Sequence, residues 1–346
     1  MQEEVMTNDP LLKIRNLSIG YRQSKKKMNL LQKDLNLNLC KGDLICLIGP
    51  NGCGKSTLIR TMAAIQPGIS GSVTMNGIEI NRMSASRRSE LFSIVLTDRT
   101  AVDSITVLEI VALGRYQSSS WLGSLSITDQ HKILRAIEEV ELQGFEDRRY
   151  GTLSDGEKQR TYIAKALASD ASIMLLDEPT AHLDIPNRAE VMTLLQRVTR
   201  ELEYSVILST HDLDLALQMA DAIWLMIPGK GVFAGTPEEL LHSGYPDKIF
   251  GNEMLRFNPH SGNFVVINKD KIPARIEGSG KLFEITIQAL QRLGYTLDEK
   301  QEPTVKIIVD DTKWLVEHKG EEIRFISLLD TCRFLKNLKK VVRNAN

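Results

Sequence analysis

Between the apolar run Leu44-Ile-Cys-Leu-Ile48 and a helical stretch from Thr57 lies Gly-Pro-Asn-Gly-Cys-Gly-Lys-Ser-Thr, residues 49–57. No other segment restricts the fold so strongly. A continuous apolar run of strand length suits a strand buried on both faces of a parallel sheet. The segment after it fits G-x-x-x-x-G-K-[ST], and strand and helix flank it in the order that pattern needs. Glycines let the backbone wrap so that successive N–H groups point inward, and the helix N-terminus adds its positive end to the same anion site. Gly49, Pro50, Asn51, Gly52, Cys53, Gly54, Lys55, Ser56 and Thr57 are therefore candidates for holding the phosphates of ATP. Lys55 would neutralise the β/γ charge and the Ser56 hydroxyl would ligate Mg²⁺. The alternative is a chance glycine-rich turn, against which the Lys-Ser pair and the flanking elements weigh.

The rest of the chain supplies the context of an α/β fold. Leu11 to Leu39 reads as β-strands around a polar turn, Gln23 to Lys27, and Ser72 to Ile80 reads as a hairpin about Asn76-Gly77. From about residue 84 to 153 the pattern turns helical, with Thr106–Leu113 and Asp129–Leu142 carrying apolar residues at helical spacing. Strand patterns return at Ile173–Leu176, Ser205–Ser209 and Ile223–Ile227, separated by helical segments. We expect one domain over residues 11–265: a mostly parallel P-loop NTPase core, an N-terminal antiparallel β subdomain and a helical insertion. Residues 268–346 carry no chemical motif. They read as a small α+β appendage, with helices at Lys281–Leu293 and Leu328–Val342 and strands at Thr304–Val309, Lys313–Val316 and Ile323–Ile326.

Ile173-Met-Leu-Leu-Asp-Glu is an apolar strand that delivers two carboxylates at its carboxyl end, where open α/β sheets bind ligands. Asp177 would hold the Mg²⁺ water shell, and Glu178 would orient or deprotonate the attacking water. Alone, such a pair is more often surface charge. Leu153-Ser-Asp-Gly-Glu157 precedes a helix, and at this stretch the sequence resembles the ATP-binding-cassette (ABC) family, whose signature loop usually reads LSGGQ. Asp155 and Glu157 depart from that pattern, while Ser154 and Gly156 keep it. Ser154 with Glu157 three residues on is also an ordinary capping box, and both readings can hold together.

Three smaller features match the family in order. Ala181-His-Leu-Asp184 resembles the D-loop, His211 resembles the switch histidine that contacts the γ-phosphate, and Tyr21 resembles the aromatic that stacks on adenine. A core aromatic is the alternative for Tyr21. Where the family carries a glutamine after a core strand, this chain has Thr97, and no glutamine falls between Gln66 and Gln117. Thr106-Val-Leu-Glu-Ile-Val-Ala-Leu-Gly-Arg115 and the run from His211 look like the importers of iron–siderophore, haem and cobalamin complexes.

The resemblance implies an ATPase at the cytoplasmic face of the cell membrane. Two copies would sandwich two ATP molecules, each between one P-loop and the other copy's Ser154–Glu157 loop. The dimer would drive integral membrane permease subunits, fed by a substrate-binding protein. A soluble, non-transport ABC ATPase acting on nucleic acid, the ribosome or cluster assembly is the second reading. The formal net charge of −1 argues against a bulk electrostatic nucleic-acid binder. Cys40, Cys46, Cys53 and Cys332 form no CxxC pair and read as reduced thiols. The acidic N-terminal residues do not read as a signal peptide, and no apolar run approaches the roughly 20 residues that span a bilayer. Thr97→Gln should leave nucleotide affinity close to wild type in a titration with fluorescent ATP; loss of binding would show that Thr97 does not occupy the glutamine position.

Overall fold

The computed structural model describes residues 9–24, 27–96, 103–116, 125–259, 262–267, 272–297, 302–310 and 312–344. Thr97 lies outside the described residues. The chain divides into two compact units, Met1–Ile249 and Phe250–Asn346.

In the first unit, six strands form one sheet in the order Gly231–Gly235, Ala222–Ile227, Leu44–Ile48, Ser205–Ser209, Ile173–Leu176, Phe92–Val95. Neighbours are parallel except Gly231–Gly235, which pairs antiparallel with Ala222–Ile227. Leu44–Ile48, Ile173–Leu176 and Ser205–Ser209 are buried along their whole length, which is why they read as apolar runs and not as alternation. Parallel register brings their carboxyl ends to one edge of the sheet, and the loops leaving that edge carry the candidate residues.

A second, antiparallel sheet has the order Lys27–Leu39, Leu12–Ser24, Ser70–Met75, Ile78–Glu79. Asn76 and Gly77 join its last two strands at φ +49° and +78°, the left-handed pair that a two-residue hairpin turn favours. Between the sheets runs the helix Lys55–Met62. Its Leu58, Ile59 and Met62 share one core with Leu12, Ile14, Leu17 and Ile19 of the antiparallel sheet and with Ile45 and Leu47 of the parallel one. Each fully buried side chain of this kind contributes about 1.5–3 kcal/mol. The helix that follows the candidate phosphate loop is thus clamped on both sides.

The helical part packs Val107–Ala112, Ile127–Glu139 and Asp155–Ala168 against one another. Each starts with a capping box: Thr106 with Glu109, Ser126 with Asp129, Ser154 with Glu157. Asp129, expected at a helix start, is the third helical residue, because Ser126 supplies the cap. Buried Arg115 ties this layer together. Its Nε donates to Asp129 Oδ1 at 2.8 Å, and its Nη1 donates to the Ala168 and Ser169 carbonyls at 3.1 and 3.3 Å. The guanidinium therefore sits at the negative end of the helix Asp155–Ala168. Gly114 makes the approach possible, since a Cβ there would stand 2.2 Å from the Lys165 carbonyl oxygen.

The second unit has a two-stranded ribbon, Leu255–Asn258 with Asn263–Val266, and a five-stranded sheet ordered Tyr295–Thr296, Ile272–Glu277, Val305–Asp310, Lys313–His318, Glu321–Phe325. Helices Lys281–Leu293 and Leu328–Asn344 pack on that sheet. Ile272–Glu277 escaped the sequence reading, because Pro273 and the charges at Arg275 and Glu277 mask its buried alternation of Ile272 and Ala274. The closing helix buries Thr331, Leu335 and Leu338, whereas Val341 is 62% exposed. Inside the unit, Trp314 Nε1 donates to Thr286 Oγ1 at 2.8 Å and the Tyr295 hydroxyl donates to the Leu335 carbonyl at 2.8 Å.

Hydrogen bonds from the Ser126 hydroxyl and from Arg115 pull the Asp129 carboxyl down to about 2. A depressed carboxylate stabilises fully above its ordinary pKa and loses its contribution only as pH falls toward the folded value. Arg115→Leu should therefore cost about 3–5 kcal/mol in urea unfolding, with little change across pH 6 to 8, because it strands a buried carboxylate. A cost below 1 kcal/mol would mean that water reaches the pair.

Candidate functional site

The loop after Leu44–Ile48 is shaped by two glycines. A Cβ on Gly49 would stand 2.8 Å from Cys53 Sγ and 2.9 Å from the Met226 carbonyl oxygen. Gly54 takes φ +110° as the cap of the helix Lys55–Met62 and is hemmed in by Ile19 and Leu31. Lys55, only 6% exposed, donates through Nζ to the Gly49 carbonyl at 2.8 Å and the Pro50 carbonyl at 3.4 Å. An ammonium has three donors, and these contacts hold this one across the mouth of the loop. Burial pushes the Cys53 thiol up despite the neighbouring Lys55, which makes it a poor nucleophile.

A single hydrogen-bonded chain runs from the helix after this loop across two strand ends. Ser56 Oγ donates to Asp177 Oδ1 at 3.0 Å, and Ser209 Oγ donates to the same oxygen at 2.7 Å. Ser209 Oγ in turn accepts from the Glu178 backbone N–H at 2.8 Å, and Glu178 Oε1 lies 2.6 Å from His211 Nε2. Asp177 is 4% exposed; the Glu178 and His211 side chains are 30% and 47% exposed. The strand thus hands over one buried carboxylate and one that water can reach. Glu178 also holds φ +51°, and His182 follows at φ +66°. Left-handed conformations of non-glycine residues cost about 1–3 kcal/mol and persist where the surroundings enforce them. Here the Ser209 hydroxyl and the turn bond from Ala181 N–H to the Glu178 carbonyl, 3.1 Å, do so.

The Ser56 hydroxyl and the Asp177 carboxylate are hard oxygen donors side by side, the kind of small protein set that Mg²⁺ uses together with phosphate and water oxygens. Among the described residues no group of three or more His, Cys, Asp or Glu forms a self-sufficient metal cage. The pocket fits a magnesium–phosphate ligand better than a bare ion.

Ser154–Glu157 and Asp184 form a second cluster. Ser154 Oγ accepts from the Glu157 N–H at 3.3 Å, and Glu157 Oε2 accepts from the Ser154 N–H at 2.7 Å, so the capping box is real. Burial works against ionisation of Glu157, but the Ser154 N–H and hydroxyl with Arg148 and Arg160 outweigh it, and the carboxyl is held below its ordinary value. Asp184 caps the helix Ile185–Glu201. Tyr21 is 45% exposed on the antiparallel sheet, not a core aromatic.

Three residues escaped the sequence reading. Ser209 had a visible signal, a hydroxyl ending an apolar strand two positions before His211. Asn187 had none. Gln32 is 2% exposed; its Nε2 donates to the carbonyls of Cys53, 3.3 Å, and Ile227, 3.2 Å, and its Oε1 accepts from Gly231 N–H at 3.2 Å. It fastens the phosphate loop to the neighbouring sheet edge, and from sequence it is only a polar break in an apolar strand.

Residues 32–181 match the family profile described as ABC transporter, and residues 271–336 match the one described as iron ABC transporter C-terminal domain. An iron(3+)-hydroxamate import ATP-binding protein of Bacillus subtilis is 34% identical over 239 residues, covering 69% of this chain and 87% of the relative. A solved structure of a transporter assigned to the metal-chelate type, in an inward-facing conformation, aligns with TM-score 0.63 at 25% identity over 75% of this chain and 99% of its own. A dimeric ATP-binding cassette in a post-hydrolysis state, bound to ADP and phosphate, aligns with TM-score 0.57 at 26% identity over 65% of this chain and 98% of its own.

Gln32→Leu strands two carbonyls and an N–H, each buried unpaired group costing about 1–3 kcal/mol. The variant should unfold at lower urea and bind ATP several-fold more weakly by calorimetry. Unchanged affinity would show that the Gln32 tether does not shape the phosphate loop.

Proposed function

The chain belongs to the ABC transporter ATP-binding family, and on that premise we propose that it is the ATP-hydrolysing subunit of an importer for an iron chelate. The observation that carries the ATPase reading is the continuous chain Ser56–Asp177–Ser209–Glu178–His211 beside the phosphate loop. The importer and iron reading rests on the match of residues 271–336 to an iron ABC transporter C-terminal domain and on the hydroxamate-import relative. Siderophore and haem complexes are the iron substrates this reading takes in, and cobalamin, a cobalt complex, is the other chelate class of the same importer type.

Loop N–H groups from Gly49 to Gly54 and the first turn of the helix Lys55–Met62 receive the phosphates of ATP. Lys55 exchanges its bonds to the Gly49 and Pro50 carbonyls for phosphate oxygens, a swap of equal hydrogen-bond number and better charge match. Ser56 and Asp177 would hold Mg²⁺, which would supply positive charge against the charge developing on the phosphates. Glu178, reached by solvent, accepts the proton of the attacking water, and His211 keeps its carboxylate turned to the γ-phosphate. Tyr21 stacks on adenine. In the sequence, Thr97 takes the position of the family's glutamine.

Ser154–Glu157 and Asp184 serve the site of a second copy. Two chains close around two ATP molecules, and hydrolysis releases them, a two-state switch set by γ-phosphate contacts. Integral membrane permease subunits turn that closure into transport, with a substrate-binding protein delivering the chelate. Among the described residues no helix is long and apolar enough to cross a membrane. A peripheral place on the cytoplasmic face of the membrane follows from partnership with a permease.

Glu178→Gln should bind ATP, form an ATP-dependent dimer by light scattering and lose about 100-fold or more in turnover, the scale on which a general base contributes. Lys55→Ala should instead lose nucleotide affinity. Hydrolysis by Glu178→Gln near the wild-type rate would remove Glu178 from the role of base. Failure of the chain and its permease to carry any ferric chelate into proteoliposomes would remove the iron reading alone.

A further inference from the structure

The first turn of the helix Ile185–Glu201 touches three loops at once. Asn187 uses both ends of its amide. Its Nδ2 donates to Asp184 Oδ1 at 2.6 Å, beside the backbone cap from Asn187 N–H at 3.0 Å. Its Oδ1 lies against Gly156, so closely that a Cβ there would stand 2.5 Å away. The next residue, Arg188, donates through Nε to the Leu183 carbonyl at 2.7 Å, and its Nη1 lies 3.5 Å from Asp212 Oδ2, next to His211. Asp212 Oδ1 is separately engaged, capping the helix Leu213–Met219 through Leu215 N–H at 3.2 Å.

We propose that Asn187 and Arg188 are positioning residues that lock the Ser154–Glu157 loop, the Asp184 turn and the His211 switch of one subunit into a single body, so that the three engage nucleotide together. The reasoning is geometric. Gly156 is buried, and a Cβ there would push the Asn187 amide off its bond to Asp184 within the same chain, whatever ligand the loop meets in its partner. The turn between Glu178 and Asp184 contains two left-handed non-glycine residues, and the Asn187 and Arg188 bonds pin its far end. Without them, that turn would relax, Asp184 would lose one of its two donors, and Asp212 would lose its cation. The phosphate loop itself would be untouched, because neither residue contacts Gly49–Thr57. The inference rests on the proposed roles of Ser154–Glu157, Asp184 and His211.

The test uses the full chain. Asn187→Ala, Arg188→Gln, Asp212→Asn and the Arg188→Gln/Asp212→Asn pair are assayed for ATP affinity, turnover and its cooperativity in ATP. Each is also assayed for ATP-dependent dimerisation in the Glu178→Gln background. ATP affinity of the monomer should stay at the wild-type value while kcat falls about tenfold and cooperativity is lost, the size expected when roughly 1.4 kcal/mol of alignment is removed. The double variant should be no worse than Arg188→Gln alone, because Asp212→Asn removes a link that Arg188→Gln has already broken, and Arg188→Lys should recover part of the loss through the ion pair. Wild-type kcat, cooperativity and dimerisation in Asn187→Ala and Arg188→Gln would overturn the proposal. So would a loss that tracks ATP affinity and melting temperature, the mark of a merely structural role. If Glu178→Gln alone does not dimerise with ATP, the reading beneath it fails instead.

Discussion

The Asp177 carboxylate is the constraint on which the site depends. One of its oxygens accepts from Ser56, in the first turn of the phosphate-loop helix, and from Ser209, at the end of a neighbouring strand. A buried charge is expensive unless hydrogen bonds satisfy it. Here the bonds that satisfy it also set the distance between loop and strand ends. Ser209 passes the constraint on to the Glu178 backbone, and Glu178 to His211. On the proposed function, phosphates would arrive at a site whose protein dipoles already stand in order, which is the condition for electrostatic catalysis.

That order is bought from outside the site. The helix Lys55–Met62 is held between two sheets by Leu58, Ile59 and Met62, and the loop before it by Gln32. The helix Asp155–Ala168, which starts at the Ser154 cap, has its other end fastened by Arg115 and Asp129. The two ends of that helix have different tasks. Its C-terminus is locked into the helical layer by a buried ion pair, while Ser154 and Asp155 at its N-terminus, and Asp184 in the neighbouring turn, are exposed and open to the second copy that the proposed function calls for.

Much of this was legible in the sequence because the chemistry is local. Glycine spacing, a Lys-Ser pair and two carboxylates after an apolar run are contiguous signals, and the parallel strands announced themselves by burial on both faces. Long-range polar contacts left no such trace. Gln32 reaches Ile227 and Gly231 almost two hundred positions away, and Asn187 meets Gly156 only after two helices have packed. Ile272–Glu277 was hidden for a different reason. A six-residue strand that holds a proline and two charges carries too short an alternation to stand out.

On the proposed function, each active centre is shared between two copies, one giving Lys55 and the other Ser154. Mixing two variants in the Glu178→Gln background tests it most directly: one carries Lys55→Ala and the other Ser154→Arg. Each alone damages both composite sites of its homodimer, but the mixed pair retains one intact site. The account predicts that neither variant dimerises with ATP alone and that the mixture forms ATP-dependent dimers by light scattering. A mixture that stays monomeric, or a Ser154→Arg chain that dimerises as well as its parent, would contradict it.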